Sequence, residues 1–319
     1  VTQRRHEIDL LAAGVMLLLC LVWGLNQVAA KVANEGISPI FQAGLRSAGA
    51  GVLLWGWSAA RGVKLFERDG SFWPGLLAGL LFAAEFAFIF VGLNHTTASR
   101  AVVFVYFAPF VVAIGIHLLV PSERLGLRQI VGLICAFGGI VLAFGDGFTH
   151  GAGHTLLGDG MSLIGGVLWG ATTVTIRVWM PSISANKVLF YQLVVSAILL
   201  MLMSLAVGEP RFTHPSPLVW ASLTWQIVIV AFATYLGWFW LITRYPAAKL
   251  SAFSFLAPLF GLVFGAVLLG EPVTPLLIAA MALVAFGIWL VSRRGGGGAA
   301  GALSAEESAT AGDPRLREG

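Results

Sequence analysis

Apolar residues run almost unbroken for about twenty positions at a time along most of this chain, with short polar stretches between the runs. A helix rises about 1.5 Å per residue, so ~20 residues cross a hydrocarbon layer of ~30 Å. Membrane-crossing strands would be half as long and would alternate apolar with polar side chains, which these runs do not. Ten spans are expected, at roughly Leu10–Ala30, Pro39–Ala59, Phe72–Leu93, Ala101–Leu119, Leu127–Gly145, Gly158–Val178, Val188–Val207, Leu218–Ile242, Leu250–Leu269 and Pro275–Ser292. The fold class expected is an all-α membrane protein with ten transmembrane helices.

The runs repeat. Ala98–Phe144 returns near the C-terminus: each copy has a base (Arg100, Lys249) nine positions before the proline of an Ala-Pro pair (Pro109, Pro258). Each then has a turn glutamate (Glu123, Glu271) and a late glycine (Gly139, Gly287), with 139 − 123 = 16 and 287 − 271 = 16. Trp23-Gly24 and Lys31 recur as Trp169-Gly170 and Arg177, with 169 − 23 = 146 and 177 − 31 = 146. The chain therefore divides into two related five-helix units, residues 8–146 and 155–294, followed by a Gly/Ala/Ser-rich segment, 295–319, expected to be a disordered cytoplasmic tail.

Charge gives the orientation. Arg61, Lys64 and Arg68, then Arg124 and Arg128, Lys187 and Arg244 occupy alternate loops, and Arg4, Arg5, Arg293 and Arg294 flank the ends. Glu35, Asp146, Glu209 and Glu271 occupy the opposite loops, with Arg211 the main exception. Basic residues stay inside, so both termini are expected in the cytoplasm. Five spans per unit is an odd number, so the second unit enters the membrane upside down, an arrangement used for alternating access in transporters. The first span is followed by an Ala-rich stretch like a cleavage site, but Trp23, Asn26 and Gln27 interrupt its apolar core and it is expected to be retained.

Composition agrees. The chain is 58% hydrophobic and 11% charged, with mean hydropathy +0.89, whereas soluble domains are about 25% charged. A net charge of +4 and a pI near 9.4 do not signal nucleic acid, because the bases are scattered in loops. Cys20 and Cys135 both lie inside apolar runs, so no disulfide and no metal site is expected. No phosphate-binding loop, G-x-S-x-G or H-E-x-x-H occurs, so no ATPase, enzyme activity or cofactor is expected.

Trp23-Gly24, Arg46, the Ala-Pro pairs, Glu123, Glu271, Gly139 and Gly287 taken together resemble the drug/metabolite transporter superfamily, EamA type, over nearly all of residues 8–294. The aromatic-rich helices are similar to those of YddG-type amino-acid exporters. The resemblance implies a ten-helix inverted-repeat carrier exporting small metabolites, often amino acids, through a central cavity between its halves. One departure stands out: Gln192 occupies the position matching Arg46 (192 − 46 = 146).

The intramembrane polar residues supply the candidate chemistry. Glu85 is the acid expected at mid-span, where a lone carboxylate costs on the order of 3 kcal/mol or more. It either binds a proton or a cationic substrate group, or makes a structural hydrogen bond. Arg46, ~10 Å inside the second span, is expected to be a structural charge, paired with Glu85 or holding backbone carbonyls. Trp169 and Thr173, and Thr234 and Trp238, are i, i+4 pairs; Asn26 lies three residues beyond Trp23, and Tyr235 beside Thr234. With Glu85 these residues are the candidate lining of a pocket for a small zwitterion with an apolar side chain. The bland alternatives are hydroxyls back-bonded to their own helices and tryptophans in an interfacial belt. Pro109 and Pro258 interrupt matching helices, as hinge or gating points or as static kinks. His117 reads as an interfacial side chain or a proton relay.

The function expected is secondary-active export of small metabolites across the inner membrane by alternating access, amino acids with aromatic or other apolar side chains first, with a proton as a candidate coupling ion. A carrier of another metabolite or a cationic drug, and a non-transporting intramembrane enzyme or scaffold, are the alternatives.

Overall fold

The computed structural model describes residues 9–120, 126–150, 154–180, 183–244 and 256–292. Glu123, Lys249, the terminal arginines and the expected tail 295–319 lie outside them. Among the described residues every regular element is helical, and a single bridge pairs Ile37 with Phe212. The helices are α1 (Leu10–Asn34), α2 (Pro39–Ala60), α3 (Phe72–Gly92), α4 (Ala98–Val105), α5 (Ala108–Leu119), α6 (Leu127–His150), α7 (Thr155–Trp179), α8 (Ala185–Val207) and α9 (Pro217–Thr224). A π-helical segment (Trp225–Thr234) leads into α10 (Tyr235–Arg244), and α11 (Leu256–Leu269) and α12 (Pro275–Ser292) complete the order.

Seven helical stretches are long and apolar enough to cross a membrane: α1, α3, α4–α5 taken together, α6 to Asp146, α7, α8, and Pro217–Trp238. Of the remaining three expected spans, α11 is 14 residues long where described, α12 has 18 residues, and α2 has ample length at 22 residues. α2 is less apolar because of what it buries. Gln42, Arg46 and Ser47 face inward while Val52 (65% exposed), Trp55 and Trp57 face outward. A soluble helix does the reverse. A lipid solvent rewards this inverted distribution, since an apolar exterior costs nothing there and polar groups must find partners inside.

The repeat landmarks are packing devices. A Cβ built on Gly24 of α1 would lie 2.8 Å from the carbonyl oxygen of Ala257 in α11, and one on Gly170 of α7 would lie 3.0 Å from that of Ala108 in α5. Each Trp-Gly glycine thus receives the alanine of the other unit's Ala-Pro pair. The late glycines do the same for α6 and α12: a Cβ on Gly139 would meet Ala280 O at 2.8 Å, and one on Gly287 would meet Gly132 O at 2.6 Å. Only hydrogen at these positions lets the backbones approach so closely.

These crossings belong to a pattern that reads the same from either unit. α1 packs on α11, and its counterpart α7 packs on α4 and α5; α3 packs on α7, and α1 packs on α9 and the π segment. The pairs α2 with α8 and α6 with α12 are their own counterparts.

Two of the expected spans are not continuous α-helices, the first of them at a proline the sequence had marked. The span containing Pro109 breaks at Tyr106 and Phe107, separating α4 from α5. Proline has no N–H for the carbonyl four residues back, and its ring crowds that carbonyl. The carbonyls of Phe104 and Val105 turn instead toward Gly166 of α7, where a Cβ would come within 2.7 Å of each. Pro258 is the third residue of α11, and the chain just before α11 lies outside the described residues. The span expected as one α-helix over Leu218–Ile242 carries the π segment at its centre, a winding that reorients the residues beyond it.

Candidate functional site

Two bundle regions gather polar and aromatic groups from both units, one at mid-depth and one at an end. At mid-depth, Trp23 of α1 donates its Nε1–H to the Thr234 hydroxyl (3.0 Å), and Thr234 in turn donates to Val230 O (2.6 Å). The Trp23 and Trp238 rings meet edge-on with centroids 6.0 Å apart. The i, i+4 pair Thr234 and Trp238 therefore presents one face to Trp23. Trp169 packs edge-on against Tyr106, in the α4–α5 break, at 5.5 Å. Thr173 donates back to Trp169 O (3.0 Å), and Thr172 to Leu168 O (2.8 Å).

Tyr235 connects these groups to the buried charges. It lies within electrostatic range of Tyr106, and its hydroxyl oxygen accepts a hydrogen bond from Arg46. The Arg46 guanidinium carbon sits 4.1 Å from the Phe86 ring centroid, a cation–π contact, with Glu85 on the same helix as Phe86 and in electrostatic range. Arg46 is 1% exposed and Glu85 4%. Asn26 is buried near Trp23 in sequence, and among the described residues its Oδ1 has no hydrogen-bond partner. Of the residues named from sequence, Trp23, Thr234 and Trp238 come together, Trp169 instead meets Tyr106, which the sequence had not singled out, and Arg46, Glu85 and Tyr235 lie on α2, α3 and α10. Arg46 does not pair with Glu85: among the described residues no ion pair joins them.

The second region lies at the end where α2, α4, α7 and α12 begin, and its extent is not legible in the sequence. Arg100 of α4 places its Nε 3.2 Å from both Asp159 oxygens and its Nη2 2.5 Å from Asp159 Oδ2. It also donates to Ala143 O (2.6 Å) and pairs with Asp146. Thr96 donates to Asp159 (2.6 Å), and Thr274 donates to Asp146. Beside this cluster, Glu271 accepts from the backbone N–H of Ala98 (2.7 Å) and Ser99 (2.8 Å), so its charge rests on the N-terminus of α4. Lys31 approaches Glu271 to 3.3 Å and donates to Thr96 O (2.7 Å). Glu209 similarly accepts from Phe41 N (3.2 Å) at the start of α2. The network joins the first half of the chain to the second repeatedly: Arg100 to Asp159, Asp146 to Thr274, Lys31 to Glu271.

The opposite end has a smaller link. Lys187, 2% exposed at its side chain, donates to Asp69 Oδ2 (2.8 Å) and to Glu67 O (2.5 Å). The hydrogen bonds from Lys187 and Ser71 hold the Asp69 carboxyl down from its ordinary 3.8 to about 2. A depressed folded-state value stabilises above the unfolded-state value, and that contribution is lost as pH falls through the folded-state value. The melting temperature gap between the parent and Asp69→Asn is therefore expected to be full above pH 4 and to shrink toward pH 2. A gap unchanged over that range would contradict the link. A cleft of about 480 Å³ bordered by Trp55, Lys64 and Glu67 lies at this end too, away from the mid-depth groups.

The sequence pattern of the EamA-like transporter family matches residues 10–145 and 156–293. The chain belongs to the EamA-like transporter family. By that membership and its long apolar helices, it is a transmembrane transporter. Among relatives of this EamA-like chain, "Uncharacterized transporter YoaV" of Bacillus subtilis is 25% identical over 274 residues, 85% of this chain and 92% of that one. A "Probable amino-acid metabolite efflux pump" of Salmonella typhimurium is 26% identical over 282 residues, 86% of this chain and 92% of that one. The protein of that name in Escherichia coli is 25% identical over 282 residues, with the same coverage of both chains. A solved crystal structure matches with TM-score 0.62 at 19% identity, covering 88% of this chain and 96% of that one, a likeness of fold.

What sequence reasoning missed in this EamA-like chain is the end network. Arg100, Lys31 and Glu271 stood out only as repeat landmarks, and Asp146 only as a loop charge. Asp159 drew no notice, although LLGDGMSLIGG sets a lone acid against glycines and apolar residues at a span edge. It is fully buried.

Proposed function

We propose that the chain is a secondary exporter of small metabolites, amino acids with aromatic or other apolar side chains first, working by alternating access. Its ten spans form two inverted five-helix units in the inner membrane, and both termini are cytoplasmic. The observation that carries this reading is the mid-depth cluster, in which tryptophans and hydroxyls from both units lie near two unlike charges of the first, Arg46 and Glu85, in a membrane interior. The relatives named as amino-acid metabolite efflux pumps support the substrate class. The contact pattern that reads alike from either unit supports the repeat, and the links between units at both ends are the contacts that opening at either end would exchange. Glu85 is the group for a coupling proton or the substrate amine.

Cells expressing the protein and fed a phenylalanine-containing dipeptide are expected to release phenylalanine faster than cells lacking it. Equal release, repeated across leucine, methionine and tryptophan dipeptides, would remove the amino-acid reading. Orientation is tested with single cysteines at Lys64 and Arg211 in a background lacking Cys20 and Cys135. An impermeant reagent on intact cells should label position 211 and spare position 64. The reverse pattern would invert the topology.

A further inference from the structure

We infer that Arg46 and Glu85 are the two poles of a zwitterion site, Arg46 taking the carboxylate of a transported α-amino acid and Glu85 its ammonium group. This inference rests on the export reading above and names the recognition chemistry within it.

The starting point is a contrast between two buried arginines. Arg100 spends its donors on two carboxylates and a backbone carbonyl. Arg46 is at least as buried, yet among the described residues its Nε and Nη1 have no hydrogen-bond partner; it is held by the Tyr235 oxygen and the Phe86 face. The Glu85 Oε2 likewise has no partner among the described residues. The two charges feel each other, but they do not close into an ion pair.

Buried charges are costly to leave unsatisfied, and a guanidinium within reach of a carboxylate ordinarily closes on it. Here the scaffold holds them apart. Arg46 is anchored by Phe86 and Tyr235, which leaves its Nε–H and Nη1–H donors, on different edges of the guanidinium, without a hydrogen-bond partner among the described residues and each able to bind a carboxylate oxygen. A molecule that completes both poles must carry a negative group toward Arg46 and a positive one toward Glu85. An α-amino acid does so with its two charges one carbon apart.

The depth matches as well. Arg46 lies 46 − 39 = 7 residues from the start of α2, and Glu85 lies 92 − 85 = 7 residues from the end of α3, the same end of the bundle. Both are ~10 Å inside. The Arg100 and Lys31 networks lie at that end, so the proposed site sits beneath the links that tie the two units together. Phe82 and Phe86 meet edge-on on α3 with centroids 4.7 Å apart, and Tyr235 adjoins Thr234, the partner of Trp23. The surroundings of the two poles are apolar and aromatic, which suits the side chain of an apolar amino acid.

The test is counterflow into proteoliposomes of the purified full chain, with labelled L-phenylalanine and two competitors that each lack one charge. L-phenylalaninamide lacks the carboxylate, and N-acetyl-L-phenylalanine lacks the ammonium. Unlabelled phenylalanine should compete ~10-fold or more better than either, the loss expected for a hydrogen-bonded charge left unmet. In Arg46→Gln the preference over the amide should vanish while that over the N-acetyl compound persists, and Glu85→Gln should do the converse. The competitor arm needs no variant, so it stands if Arg46→Gln fails to fold. Equal competition by all three compounds overturns the zwitterion site and leaves the export reading in place. Absence of counterflow with phenylalanine, leucine, methionine and tryptophan alike, with uptake of a lipophilic cation such as tetraphenylphosphonium, overturns both.

Discussion

Replacing Asp159 by alanine is expected to lower the stability of the detergent-solubilised protein by about 3–5 kcal/mol, the usual cost of removing one partner from a buried ion pair. Asp159 accepts from three Arg100 contacts and from Thr96, and it is fully buried. Without it, Arg100 retains Asp146 and the Ala143 carbonyl, and its Nε side faces an empty pocket in a medium that supplies no water. The triple change Arg100→Met, Asp159→Leu and Asp146→Asn should recover much of the loss, because removing all three charges of the cluster also removes their desolvation cost. Asp159→Asn should fall between, keeping shape and hydrogen bonds but not charge. A thermal unfolding series on these variants measures the effect. A loss below about 1 kcal/mol for Asp159→Ala would mean that Arg100 is solvated at this end and that the network does not hold the two units together.

The second large effect concerns binding. Trp238→Ala and Trp23→Ala are each expected to weaken the transported amino acid by about 1–3 kcal/mol, the range for losing an aromatic contact at a binding centre. Both rings are half-buried at mid-depth, against each other and against Thr234, so they offer surface that is neither packed away nor set at an interface. Trp23→Phe separates the parts: it keeps a ring against Trp238 and loses only the bond to Thr234, for about 1 kcal/mol. Trp169→Ala tests the opposite unit, where the ring meets Tyr106 at the α4–α5 break. Isothermal calorimetry on the folded variants reads the change. Wild-type affinity in Trp23→Ala and Trp238→Ala together would move the site elsewhere.

Features that depend on neighbours in sequence, or on spacing, were legible before any coordinates. Gly24, Gly170, Gly139 and Gly287 stood out as a repeat because close helix crossings demand small residues at fixed positions, and the structure shows what each one touches. The break at Tyr106 follows from Pro109, a local cause. The π segment at Trp225–Thr234 has no such local signature, since winding there answers to tertiary contacts such as Gln226 with Gln42 (3.3 Å). The end network was illegible for a different reason. Lys31, Arg100, Asp146, Asp159 and Glu271 come from five separate stretches, and one charge at the edge of an apolar run looks like any loop charge. Arg46 shows the limit most clearly: the sequence left it either to pair with Glu85 or to hold backbone carbonyls, and among the described residues no ion pair joins the two.

The central claim, that the chain moves amino acids by alternating exposure of one site, is tested most directly by counterflow with purified protein. Proteoliposomes preloaded with excess unlabelled L-phenylalanine should transiently accumulate external labelled phenylalanine above equilibrium. A short bifunctional thiol reagent joining cysteines placed at Lys31 and Glu271 should abolish that overshoot by tying the two units at one end. Labelled phenylalanine that binds the protein yet never overshoots, or an overshoot that survives the cross-link, would contradict the account.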